Sequence, residues 1–252
     1  MPEEGEPDMD RNFFDPAVLH DRRDARSVAE IQNDFINRVF GWMTAGLAIT
    51  GIIASTVASY IQSHQELMPQ FAKFLLPLMI VELLLVIGLS AAVGRLSAAL
   101  ATGAFLLYAA LNGVTLSVIF LAYTASSIAT TFFITSGTFG ALGLYGWLTK
   151  RDLTTIGSFC FMGLFGLIIA SIVNMFFYNG TAALVISWIG VLIFVGLTAY
   201  DAQKIKRLAL AVGDGEVDDE TGKKFAVIGA LTLYLDFINL FLYLLRIFGR
   251  RR

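Results

Sequence analysis

Along the chain, a polar lead of 34 residues gives way to seven apolar stretches separated by short polar breaks. The stretches run from about Val39 to Ile61, Phe74 to Val93, Ser97 to Tyr123, Ile128 to Leu148, Thr155 to Phe177, Ala182 to Asp201 and Phe225 to Leu245. The breaks hold His64, Glu66 and Pro69, then Gly94-Arg95, Thr124-Ala-Ser-Ser, Lys150-Arg151-Asp152, Asn179-Gly180 and the hydrophilic stretch Lys204 to Lys224. A helix needs roughly 20 apolar residues to cross a bilayer. Leu96 to Thr149 is 54 residues without one Asp, Glu, Lys, Arg or His, and Leu153 to Tyr200 is another 48. Each run therefore holds two spans. The pattern predicts an all-α polytopic membrane protein with seven transmembrane helices.

Composition sharpens the domain reading. Met1 to Asp34 carries ten of the twenty acidic residues, four arginines and three of the five prolines. Such a segment buries too little apolar area to offset its ordering entropy, so 1–34 reads as a flexible acidic tail. Arg26 to Arg38 has the makings of a short surface helix, and 35–252 reads as a single transmembrane domain. No apolar leader precedes the first span, which is expected to direct insertion itself. Charged residues make up 15% of the whole chain, against about 25% in a soluble domain.

The same inventory excludes several function classes. The single cysteine, Cys160, lies inside an apolar run, and both histidines, His20 and His64, lie outside the runs. There is no HExxH, no CxxC and no glycine-rich phosphate loop, so the chain is expected to be no enzyme and to hold no tight cofactor. Its net charge of −2 offers no field to attract nucleic acid. Counting Lys and Arg by side, with the first residues inside, gives 13 in the cytoplasm and five across the membrane. That asymmetry predicts a cytoplasmic N-terminus. Arg250 to Arg252 then lie outside if the last stretch spans fully, or inside if it is re-entrant.

Three carboxylates fall within or at the edge of a span: Glu82, Asp201 and Asp236. Each costs on the order of 2.5–3.5 kcal/mol at mid-membrane, which makes it a functional candidate by default. Thr232, Asp236, Asn239 and Tyr243 are spaced by four, three and four residues, so they share one helix face. That polar seam lines a cavity or glues helices together. Asp201, beside Lys204, is either a partner for another intramembrane group or a solvated helix end. Glu82 is either a site residue or a neutral acid bonded to a neighbouring carbonyl. Gly137, Gly140 and Gly143, and likewise Gly163 and Gly166, repeat at spacings that let helices approach closely in lipid.

Two stretches carry a resemblance. Gly229-Ala-Leu-Thr-Leu-Tyr-Leu-Asp-Phe-Ile-Asn-Leu-Phe241 with Leu-Leu-Arg-Ile-Phe-Gly249, and Thr198-Ala-Tyr-Asp-Ala-Gln-Lys-Ile205, resemble the Bax inhibitor-1 family, most closely its bacterial branch. Lys150-Arg-Asp-Leu153 fits that family's fourth–fifth loop. The resemblance implies an inner-membrane protein with six helices wrapped around a central C-terminal one. It implies a pH-sensitive calcium leak governed by an aspartate pair, which maps onto Asp201 and Asp236. The family's second-helix acid maps onto Glu82. Its arginine latch has Arg95 as candidate, slightly later than the pattern because it follows Gly94.

Physical chemistry makes that reading coherent. Two carboxylates brought together in low dielectric cannot both ionise cheaply, so they share a proton. Losing that proton creates repulsion that a helix shift or a cation relieves, and calcium prefers oxygen ligands. The expected gating pair is Asp201 and Asp236, with Glu82, Arg95, Asn239 and Tyr243 along an ion pathway or latch. Asp201, Asp236 and Glu82 are the expected transient calcium ligands. Partners are then the bilayer, calcium ions and protons. The alternative is a non-transporting regulator that binds a membrane-anchored AAA protease, as some bacterial relatives do, with the acidic tail as its handle.

Overall fold

The computed structural model describes residues 16–252 apart from 93. Its seven long helices are α1 (Pro16–Ser63), α2 (Met68–Ala92), α3 (Ala98–Ala122), α4 (Ala125–Leu148), α5 (Thr154–Phe176), α6 (Gly180–Gly213) and α7 (Asp219–Phe248). All seven are long and apolar enough to cross a membrane. Each expected span corresponds to one of them. Their starts are written in the sequence. Ser97, Thr124 and Asp218 each accept a hydrogen bond from a backbone N–H three residues on, and Asn179 caps Thr181 and Ala182. These side chains satisfy amides that helix geometry leaves without a partner.

Three elements run longer than the apolar pattern. α1 is helical from Pro16, so the expected tail gives way to helix well before the first span. Arg38 pairs with Asp34 one turn back, a spacing that supports a solvated helix face. Residues 1–15 of the expected tail lie outside the described residues. α6 continues through the hydrophilic stretch to Gly213, and the sixth–seventh connection shrinks to 214–218. Asp201 is therefore not a solvated helix end. It lies well inside α6 and is 8% exposed. α7 is one unbroken helix, so the last stretch is no re-entrant segment.

α7 is the centre of the bundle. Tyr234, Ala230, Leu231, Leu233, Leu240 and Leu245 on it are sealed from the surroundings. α1, α3, α4 and α6 pack directly along it, while α2 leans on α3 and α5 on α6 as an outer layer. The ring of six expected around the last helix is thus an inner four with two outriders. The outriders show their apolar sides: Leu76, Leu83 and Leu84 of α2, and Phe159, Phe165 and Ile169 of α5 are exposed. In water that area would drive aggregation, whereas in a bilayer it faces acyl chains.

The ends of α7 fix the topology. At its start, Glu220 accepts a hydrogen bond from the Ala98 N–H at the head of α3. At its finish, residues 250–252 pair with the α3–α4 turn: the Thr124 N–H donates to the Arg250 carbonyl and the Arg252 N–H to the Ala122 carbonyl. The start and finish of α7 thus dock at opposite ends of α3.

Of the repeated glycines only Gly163 lets helices close, against Ile193 of α6. Open space surrounds Gly137, Gly140, Gly143 and Gly166. Gly140 and Gly143 line a cleft of about 310 Å³ beside α1, where the two helices do not meet. Other close approaches fall at Gly146, against the Ala199 backbone, at Gly157, against the Tyr200 ring, and at Gly190, under the Tyr243 ring. Spacing along one helix does not reveal which face meets a neighbour.

The α4–α5 turn is gripped by α6. Gln203 accepts from the Leu153 N–H at 2.9 Å and donates to the Arg151 carbonyl at 2.8 Å. Lys206 donates to the Trp147 carbonyl at 2.6 Å, and Arg207 pairs with Asp152 at 2.6 Å. The Thr154 hydroxyl and N–H, then Arg207, hold the Asp152 carboxyl down at about 2 from an ordinary 3.8.

Two outcomes follow from this packing. Gly146→Ala should lower stability in detergent by about 1–3 kcal/mol, because its methyl meets backbone that cannot rotate away, whereas Gly137→Ala should leave the melting temperature almost unchanged. A depressed native pKa gives stabilisation that is complete above the unfolded value and is lost as pH falls through the native one. Protection of the Leu153 and Thr154 amides, relative to their intrinsic exchange at each pH, should therefore stay high from neutral pH to about 4 and fall towards about 2. Asp152→Asn should lower it at neutral pH.

Candidate functional site

Within lipid, polar side chains must find partners inside the protein. Most do so locally. Thr198 donates to the Phe194 carbonyl, Thr232 to Ile228 and Asn239 to Leu235, each one turn back on its own helix. A carboxylate cannot do this, since it and the carbonyl both accept. Asp201, Asp236 and Glu82 therefore need partners on other helices, and these three residues organise the polar interior.

Asp236 on α7 and Asp201 on α6 come close enough for their side chains to act on one another. Asp236 is 5% exposed, and its Oδ2 is sealed with no donor to accept from. Lys204, the nearest cation, acts on Asp201 from the next turn of α6. Two acceptors facing each other in low dielectric bond only if one carries a proton. The packing forces the approach: Gly146 lets α4 press on Ala199, and Gly157 lets α5 press on Tyr200.

Glu82 belongs to a second cluster. It is 8% exposed and accepts a hydrogen bond from the Thr115 hydroxyl of α3. Tyr108 and Tyr234 lie within its electrostatic reach. A donor chain crosses beside it: Asn112 Nδ2 donates to Tyr234 OH, which donates to Thr50 Oγ1, which donates to the Ala109 carbonyl. The three bonds measure 2.7, 2.7 and 2.8 Å. Tyr234 and Asp236 are two residues apart, so α7 presents one cluster on each of two roughly opposite faces. Thr115, Asn112, Tyr108, Tyr234 and Thr50 are absent from the expected site. Tyr108, Asn112 and Thr115 are spaced by four and three on α3, the same signal that marked the seam on α7.

The remaining candidates separate. Among the described residues no three His, Cys, Asp or Glu side chains group as a metal site, so Glu82 stands apart from the aspartate pair. Arg95 is exposed in the α2–α3 turn, and the ion pairs among the described residues do not include it. Asn239 and Tyr243 continue the seam into a cavity of about 590 Å³ between the end of α5, the start of α6 and the end of α7.

Comparison with known proteins places this architecture. Residues 32–252 match the family described as inhibitor of apoptosis-promoting Bax1. The chain is 49% identical over 218 residues to the inner membrane protein YbhL of Escherichia coli strain K12, covering 86% of this chain and 92% of that one. It is 46% identical over 222 residues to a protein of Borreliella burgdorferi, covering 88% and 94%. A membrane protein of Streptococcus pyogenes serotype M3 is 46% identical over 171 residues, covering 68% and 72%. With every span inside the matched range, the chain belongs to the Bax inhibitor-1 family of membrane proteins.

Proposed function

We propose that the protein is a pH-sensitive calcium leak channel or transporter of the bacterial inner membrane, gated by the proton that Asp201 and Asp236 share. The observation that carries this reading is the meeting of two buried carboxyls across the α6–α7 contact, with one Asp236 oxygen left without a donor. With the proton present, the pair is a neutral-donor hydrogen bond that ties α6 to α7. Without it, two like charges in a low-dielectric seam repel strongly. That repulsion is relieved by separation of the helices or by a divalent cation on the carboxylate oxygens. Calcium is cargo here, the protein needs no resident cofactor, and no bond of a substrate is broken.

The second cluster has a supporting part. Glu82, Tyr234 and the Asn112–Thr50 chain tie α2, α3 and α1 to the far face of α7, so a shift of α7 disturbs both clusters. The excess of Lys and Arg on the side of the α2–α3, α4–α5 and α6–α7 turns favours placing those turns and the N-terminus in the cytoplasm. A single-cysteine probe at Gly215 should then be shielded from a membrane-impermeant thiol reagent in intact cells, whereas one at Tyr178 should react. Reversed reactivity would invert the assignment.

Reconstitution into liposomes holding only this protein tests the function. Calcium flux should depend on pH, and Asp201→Asn or Asp236→Asn should each remove most of that dependence. The double variant should add little, as expected for one coupled pair, and additive effects would count against a shared proton. Glu82→Gln keeps its shape and should shift the profile without abolishing it. Absence of any calcium flux from folded protein would turn the reading to a non-transporting regulator of a membrane-anchored AAA protease.

A further inference from the structure

The cavity between α5, α6 and α7 has a character that the aspartate pair does not explain. Arg246 and Arg251 line it together with Asn174, Asn239, Ser171 and Tyr243. No acidic side chain is in its wall, and no ion pair among the described residues involves either arginine. The N-terminal end of α6, from Gly180 to Ala183, faces the same space and adds the positive end of a helix dipole.

Both guanidiniums are held in place. Arg246 stacks over the Tyr243 ring at 5.8 Å, and Arg251 over the Tyr123 ring at 6.0 Å. Arg251 is further fixed through its backbone, because residues 250–252 bond to Ala122, Thr124 and the Ser127 hydroxyl. Residue 251 also bridges Tyr123 in antiparallel fashion. A chain end so tethered brings a charge to the cavity at low entropic cost. Asn174 accepts from the Asn179 N–H through Oδ1, which leaves its amide N–H groups to serve another acceptor. Two planar, always-charged forks and an amide donor match the several oxygens of a phosphate better than the two of a carboxylate.

We propose that this cavity binds a phosphate group carrying negative charge, either the headgroup of an anionic phospholipid or free phosphate. The wall also contains Met175, Leu184 and Leu242, and the exposed Phe176, Phe177 and Tyr178 stand beside the opening. Such an aromatic rim sits at the level of lipid headgroups. The site is independent of the calcium reading, since binding rather than flux reports on it.

The test uses the full chain in detergent. Native mass spectrometry would compare retention of phosphatidylglycerol with that of phosphatidylcholine, and thermal melting would be followed during titration with inorganic phosphate. Retention of phosphatidylglycerol over phosphatidylcholine identifies the lipid source, and a melting shift with inorganic phosphate identifies the free anion. In either case Arg246→Gln with Arg251→Gln should weaken binding by about tenfold or more, the loss of charge-assisted bonds. Arg250→Gln with Arg252→Gln removes the same charge outside the cavity wall and should leave binding unchanged. If the first pair fails to fold, Arg251→Gln alone against Arg252→Gln makes the same comparison. Equal losses from both pairs, or no response to either probe, would overturn the site.

Discussion

An aspartate in the middle of a membrane-buried helix has to be satisfied by the protein itself, and much of this bundle follows from that demand. Asp236 lies on the most enclosed helix, where no Lys or Arg side chain reaches it. The partner is a second acid, Asp201, so α6 has to run alongside α7 through the depth of the membrane. Three glycines shape the neighbourhood of that partner. Gly146 admits the Ala199 backbone, Gly157 admits the Tyr200 ring, and Gly196 makes room for the Cys160 thiol. A bulkier residue at any of these points would push α4 or α5 away from the turn of α6 that carries Asp201. Close packing and the buried carboxyl pair are thus one feature viewed from two sides.

The polar interior is divided rather than pooled. α7 carries Tyr234 into the Glu82 side and Asp236 into the Asp201 side, with fully sealed Leu233 and Leu240 nearby. Among the described residues, the one fully buried side-chain polar atom left without a partner is an Asp236 oxygen. Leaving a buried acceptor without a donor costs more than an average hydrogen bond contributes, and that is the demand a proton shared between the two carboxyls would meet. The division also explains why Glu82 cannot serve as a third ligand beside the aspartates: the body of α7 lies between them.

The seven spans were legible in the sequence, the central place of the last helix came from the family resemblance, and Asp201 was singled out for Asp236 by that resemblance together with the need of a mid-span acid for company. Hydropathy reports lipid exposure directly, and a mid-span acid announces its need for a partner. The true length of α6 was not legible, because its last turns are solvated and carry Lys204, Lys206 and Arg207 like any loop. Those residues grip the α4–α5 turn, a tertiary role that composition does not encode. Apart from Gly163, the repeated glycines were misread for a related reason. A glycine permits contact, but only the neighbouring helix decides whether contact occurs, and α1 does not close on Gly140 or Gly143. The Tyr108–Asn112–Thr115 face on α3 could have been found by the spacing that exposed the α7 seam, since it too is polar in an uncharged span.

Charge is ordered along the central axis. Asp214, Glu216, Asp218, Asp219 and Glu220 gather where α7 begins, Asp236 is buried at its middle, and Arg246 stands near its end with Arg251 beyond. Acids at the start and a cation at the finish suit the helix dipole, yet the dipole alone does not require an acid at the centre. If a cation does travel along α7 as proposed, the acidic end would attract it, the aspartate pair would coordinate it, and the arginine-lined cavity would repel it. An anion seated between the two guanidiniums would cancel that barrier without touching the aspartates. The proton on the aspartate pair and the charge state of the cavity would then act in series on the same path, one setting whether α6 and α7 part, the other setting how easily a cation leaves.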